Sequence, residues 1–241
     1  MTQRDNKKGN KRGAKKDEKI IMTRRLIIGF FGLVAIALVG FGTYLSSGLQ
    51  DSGEATASDD YTLIENGPPR RLGERIEIVE FFSYRCRACK NFEPLLEDWR
   101  DELAEDVRFS RKHVVFSPID ELYRKTYLAL DATDSVEQNH SRIFTALQNQ
   151  GRQLTTPDAI AEFVDGRGVE KDDFLRQLNS ARVNRLARRA DAEQRTFAIT
   201  GTPTLIVAGK YRVDMDNGQR RALVVASQLI ERERSSDTPG P

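Results

Sequence analysis

The run Phe81-Phe82-Ser83-Tyr84-Arg85-Cys86-Arg87-Ala88-Cys89-Lys90 limits what this chain can fold into more than any other stretch. It holds both cysteines of a 241-residue sequence, directly after the apolar residues Ile76, Ile78, Val79, Phe81 and Phe82. Such an apolar run predicts a buried strand. A strand delivered straight into a helix puts Cys86 at the helix N-terminus and Cys89 one turn on. Residues three apart share a helix face, with Cβ atoms ~5–6 Å apart, so a disulfide between them needs only modest adjustment. Free backbone N–H groups and the helix dipole favour a thiolate at Cys86. That thiolate can attack a disulfide, and Cys89 can resolve the product.

Two other uses of a Cys-x-x-Cys pair compete with this redox reading. Structural zinc requires four ligands, and the only histidines, His113 and His140, are spaced far outside the usual pattern. No metal is therefore expected. A purely structural disulfide would close a very small loop and restrict the unfolded chain little. The strand-to-helix context favours a redox-active pair.

The N-terminus bears on where such a pair works. Leu26 to Leu45 is an uncharged apolar run of twenty residues, long enough for a bilayer core of about 30 Å at about 1.5 Å per residue. Ten lysines and arginines against three acids precede it, and no basic residue follows until Arg70. Basic residues stay cytoplasmic. The expectation is a single-pass anchor over 26–46 in a bacterial inner membrane, residues 1–25 inside and the cysteines in the oxidising periplasm. A cleaved signal with a small-x-small site at Ala55-Thr56-Ala57, or a twin-arginine signal at Arg24-Arg25, is the alternative. Met22 is a second candidate start. The formal charge of +2 is misleading as a whole, because the tail's +7 leaves −5 for the remainder. A mildly acidic outer domain argues against nucleic acid as a partner.

Residues 47–60 read as a flexible linker. From Tyr61 to Arg234 there is length for one domain with a sizeable core. A second strand is expected over Val107–Phe116. Helical spacing follows at Asp120–Asp131, Val136–Asn149, Pro157–Asp165 and Lys171–Thr196. Strands return at Thr204–Ala208 and Tyr211–Val213 around a Gly209-Lys210 hairpin, before a last helix from about Asp216 that frays into a disordered tail, 235–241. A sheet with an all-helical insertion at about 117–197 gives this order.

In that order the chain resembles the DsbA family of bacterial thiol:disulfide oxidoreductases, which are α/β thioredoxin-like folds with an inserted helical domain. The likeness covers residues 61–234. Glu80-Phe81-Phe82-Ser83-Tyr84-x-Cys86-x-x-Cys89 is similar to the family's active-site run. Pro94 stands where many thioredoxin folds kink the active-site helix. Arg111-Lys112-His113-Val114 is similar to the strand before the insertion, and Gly201-Thr202-Pro203-Thr204 to the cis-proline loop. The resemblance implies Cys86 as nucleophile, Cys89 as buried resolving thiol, a Cys86–Cys89 disulfide and no cofactor. It implies that Pro203 is cis and faces the disulfide, and that Thr202 pairs with substrate through its backbone.

Glu80 matches the family's buried acid, with Arg111 as candidate partner, while a place on a solvated edge stands as the alternative. Arg87-Ala88 replaces the Pro-His of the family's best-known oxidants, which removes one stabiliser of the thiolate. Arg85, Arg87 and Lys90 can restore part of it by charge. Thr202 before the proline is reminiscent of disulfide isomerases. Expected partners are secreted or envelope proteins with thiols or disulfides, and a membrane redox partner, either a quinone-linked oxidase or an electron-donating reductase. A reductase, an isomerase and a thioredoxin-like binding module are the competing functions.

Overall fold

The computed structural model describes residues 59–65, 67 and 75–237. Among them, strands β1 (Tyr61–Leu63), β2 (Ile76–Phe82), β3 (Val107–His113), β4 (Thr204–Val207) and β5 (Tyr211–Val213) form one sheet in the order β1-β5-β4-β2-β3. β2 and β3 are parallel, joined through helix α1 (Arg87–Asp101), and the remaining pairings are antiparallel. Between β3 and β4 lies the all-helical insertion: α2 (Pro118–Asp131), α3 (Val136–Gln148), α4 (Pro157–Val164), α5 (Lys171–Leu178) and α6 (Ala181–Thr196). Helix α7 (Gln219–Asp237) completes the order. A thioredoxin-like α/β fold with a helical insertion is what the chain adopts.

β2 is an interior strand, flanked by β3 and β4, which is why it reads as an almost unbroken apolar run. Ile76 and Ile78 pack with Phe92 and Leu96 of α1 and with Ala222, Ala226 and Leu229 of α7. Val79 and Phe81 point the other way, into a smaller cluster with Phe197, Ile199 and Ile206. α1 buries Cys89, Phe92, Glu93 and Leu96, an i, i+3, i+4, i+7 pattern that forms one helical stripe. Phe82 joins sheet to insertion: its ring meets those of Tyr84, Tyr127, His140 and Phe144 at 5.0–6.0 Å.

Several boundaries differ from the sequence expectation, each for a local reason. The strand expected to reach Phe116 ends at His113 because side chains take over its backbone groups. The Gln194 amide bonds both the N–H and the C=O of Val115, at 2.9 and 3.1 Å, and the Asp120 carboxylate accepts from Phe116 and Ser117 N–H. The expected helix Lys171–Thr196 is two helices. Ser180 restarts the chain as N-cap of α6, its hydroxyl accepting from Val183 N–H at 3.1 Å.

β1 was not expected; it lies within a short polar approach and pairs with β5, Tyr61 opposite Val213. Of the linker read over 47–60 only Asp59 and Asp60 are described residues, and buried Asp60 pairs with Arg221 at 2.7 Å. α7 begins at Gln219 rather than Asp216 and continues to Asp237, past the Ser235 where fraying was expected. No helix of the described residues is long and apolar enough to cross a membrane. The proposed anchor, 26–46, lies outside the described residues.

Candidate active site

Cys86 is the N-cap of α1, and its backbone is extended at φ −81°, ψ 117°. Its sulfur accepts the Cys89 N–H at 3.3 Å, as a capping side chain does. It also lies 3.2 Å from the carbonyl of Thr202, to which the thiol donates. Thr202-Pro203 is a cis peptide, and this loop before β4 meets the N-terminus of α1 at the sulfur. Cys86 is half-buried and Cys89 fully buried; both are free thiols.

The two sulfurs ionise very differently. Cys86 is lowered to about 6, chiefly by the hydrogen bond with the Cys89 thiol. Bonding to Thr202 and to the backbone of Cys89 and Ala88 assists, against some desolvation. Hydrogen bonds thus lead, the backbone N–H groups expected from the cap position among them, and the charges of Arg85, Arg87 and Lys90 are not among the main causes. Cys89 is pushed far up by burial first, then by its bond to Cys86 and by the negative charge of Cys86 and Glu80.

Behind the pair lies a buried ionic group. Register sets Glu80 of β2 beside Arg111 of β3, and Arg111 Nε donates to Glu80 Oε2 at 2.9 Å. Glu80 is therefore interior and paired, and the solvated-edge alternative is excluded. The same guanidinium donates to Glu93 Oε2 of α1 at 3.0 Å. One arginine faces two carboxylates, and each keeps a buried oxygen without a hydrogen-bond partner. Desolvation, aided by Glu93 and opposed by Arg111, raises Glu80 to about 8, and burial raises Glu93 as well.

The two histidines belong to this interior. His113 Nδ1 donates to Val114 O at 2.7 Å, while its Nε2 accepts from Tyr84 N–H at 3.0 Å. That arrangement fixes a neutral ring, and burial lowers it to about 3. His140 Nδ1 bonds the Tyr84 hydroxyl at 3.0 Å, and its Nε2 lies 3.2 Å from Glu93 Oε2. Burial holds this ring neutral too.

Sequence reasoning did not assign Glu93, His140 or Gln148 to the site. Gln148, from the insertion, donates to the carbonyls of both Tyr84 and Cys86, at 2.8 and 2.9 Å. From the other side Gln219, the first residue of α7, donates to the Ala88 carbonyl at 2.7 Å. The side chains of Arg87 and Ala88, by contrast, are exposed. An acid on the buried stripe of α1 was a legible signal for Glu93. Nothing local marks the two glutamines.

A model of the DSBA-like thioredoxin domain matches residues 77–229. The chain belongs to the DsbA-like thioredoxin family. The thiol:disulfide interchange protein DsbA of Azotobacter vinelandii is 34% identical over 215 residues, 88% of this chain and 99% of that protein. Among solved structures, DsbA of Pseudomonas aeruginosa is 33% identical with a TM-score of 0.72, covering 76% of this chain and 96% of that one. The oxidoreductase DsbA of Xylella fastidiosa is 32% identical with a TM-score of 0.71, covering 76% of this chain and all of that one. A DsbA-like site needs one attackable sulfur with a protected partner behind it, and Cys86 and Cys89 have those environments.

Proposed function

We propose that this protein is a periplasmic thiol:disulfide oxidoreductase that oxidises secreted or envelope proteins through a Cys86-Arg87-Ala88-Cys89 redox centre. The observation that carries the reading is the opposed environment of the two sulfurs: Cys86 half-buried with a lowered pKa, Cys89 buried with a raised one. The family relationship supports it.

In the disulfide form, a substrate thiolate attacks the Cys86 sulfur, the Cys86–Cys89 bond breaks, and Cys89 leaves. Its high proton affinity makes Cys89 take up a proton at once. A second substrate thiolate then attacks the substrate sulfur of the mixed disulfide, and Cys86 departs as a stabilised thiolate. Two electrons have moved from substrate to protein. Of the two substrate protons, one resides on Cys89 and the other has gone to solvent. Thr202 pairs with substrate backbone beside Cys86 and Pro203 keeps that loop against the sulfur. Glu80 tunes the pair from behind, and the residues at 87 and 88 tune it from in front. A quinone-linked oxidase in the membrane restores the disulfide.

The apolar run 26–46 anchors the domain to the inner membrane, with residues 1–25 cytoplasmic. The lysine and arginine asymmetry around it supports this topology.

Trapping tests the assignment of roles. Oxidation of a dithiol peptide by the wild-type disulfide form should run to completion. Reduced Cys89→Ser offered an oxidised peptide should accumulate a mixed disulfide at Cys86, visible by mass. Absence of turnover in the first case, or trapping only at Cys89 in a Cys86→Ser variant, would sink the proposal and favour a binding module.

A further inference from the structure

Two cavities of about 410 Å³ open side by side on the insertion face next to Cys86, and they share Arg152. The one nearer the sulfur is lined by Arg85, Arg87 and Arg152 together with Gln148; the farther one adds Arg142. Among the described residues, no carboxylate lines either cavity. This is local segregation, since residues 117–197 carry twelve basic and thirteen acidic side chains. Arg85 is partly spoken for, bonded to Ser117 Oγ at 2.9 Å and 3.6 Å from Asp120. Among the described residues, Arg87 and Arg152 have no ion pair. The guanidinium groups of Arg142 and Arg152 both stack on Phe163, at 4.6 and 5.3 Å from its ring centre. Stacking of that kind holds a cation in place without neutralising it.

Building on the oxidoreductase reading above, we propose that this arginine track is a specificity surface for polypeptides with carboxylates near the reacting cysteine. It starts at Arg87, one residue from the nucleophile, and leads onto the insertion. A substrate held in extended form beside Thr202 would run its flanking residues across the adjoining surface. Three to four clustered cations with no anion among the lining groups raise the local concentration of an acidic segment and its rate of encounter. A basic segment meets like charge at the same place.

The test is single-turnover oxidation of dithiol peptides by the disulfide form of the whole protein. The peptides differ only in glutamate, serine or lysine placed at least three residues from each cysteine, which keeps thiol acidity matched. The glutamate peptide is expected to react about tenfold faster than the lysine peptide at low salt. That preference should shrink from about 0.05 M to about 0.5 M salt as screening shortens below 10 Å. Arg152→Glu, at an exposed position, should bring the ratio to one or invert it, with Arg87→Glu as a second variant.

Equal rates for all three peptides would overturn this inference and leave the oxidoreductase reading standing. Failure to oxidise any peptide would overturn both. Loss of binding to phosphatidylglycerol vesicles in Arg152→Glu, with no peptide preference in the wild type, would overturn it in favour of a lipid surface.

Discussion

Cys86 and Cys89 differ because one sulfur caps a helix and the other is packed beneath it. The cap position gives Cys86 the N–H of Cys89 and the approach of the Thr202 loop, whereas burial disfavours charge on Cys89. Alkylation of the reduced protein should therefore occur at Cys86 with a midpoint near pH 6. It should fall about tenfold for each pH unit below that midpoint, while Cys89 stays protected. Ala88 is exposed, so Ala88→His places an imidazole beside the cap without repacking. We expect the alkylation midpoint to move further acid and the reduction potential to rise, by about 30 mV for each ~1.4 kcal/mol of added thiolate stabilisation. Unchanged values for both would leave the hydrogen bonds as the whole of the tuning. The cap position of Cys86 was legible in the sequence, because strand, cap and spacing are local. One contributor to its acidity was not, since the Thr202 loop arrives from 116 residues away.

At the level of elements, β2, β3 and α1 meet at Arg111, which stands between Glu80 and Glu93. Both carboxylates have raised proton affinity in the fold. Their contribution to stability is complete below the ordinary carboxylate range and is lost as pH rises through their raised values. Arg111→Leu removes the cation that both carboxylates bond, so its cost grows with pH. Urea unfolding of the variant should show a loss of about 3–5 kcal/mol at pH 8 and a clearly smaller one at pH 5. An equal loss at both would mean that the carboxylates do not change protonation. The Glu80–Arg111 pair was half legible: two oppositely charged residues on adjacent apolar strands were visible, and only the register showed that they meet. Glu93 was legible only through the i, i+3, i+4, i+7 stripe it shares with Cys89, Phe92 and Leu96, which turns it inward. The break at Asn179-Ser180 lay inside a continuous periodic pattern and was overridden by a serine whose side chain bonds the backbone.

For the molecule as a whole, the order of strands and the position of the insertion followed from the change of hydrophobic period, which is a long-range signal. β1 did not, because three residues carry too little pattern and its partner β5 is about 150 residues on. The topology of the complete chain makes its own prediction. A periplasm-dependent reporter fused after Ser58 should be active and one fused before Arg24 inactive, with the protein recovered in the membrane fraction. The reverse pattern would overturn the orientation, and a mature N-terminus near Ser58 would show that the apolar run is removed.

The hold on the segment 84–88 has a consequence for how such a protein changes. Gln148 and Gln219 grip it through the carbonyl oxygens of Tyr84, Cys86 and Ala88, and every residue type supplies a carbonyl. The side chains at 87 and 88 carry none of that attachment. The two positions form an exchangeable cassette in a fixed frame: their chemistry can be rewritten while the sulfurs keep their places. Oxidising strength can then drift by substitution here with little cost in folding, whereas a change at either glutamine would loosen the frame and leave the dipeptide with nothing constant to tune.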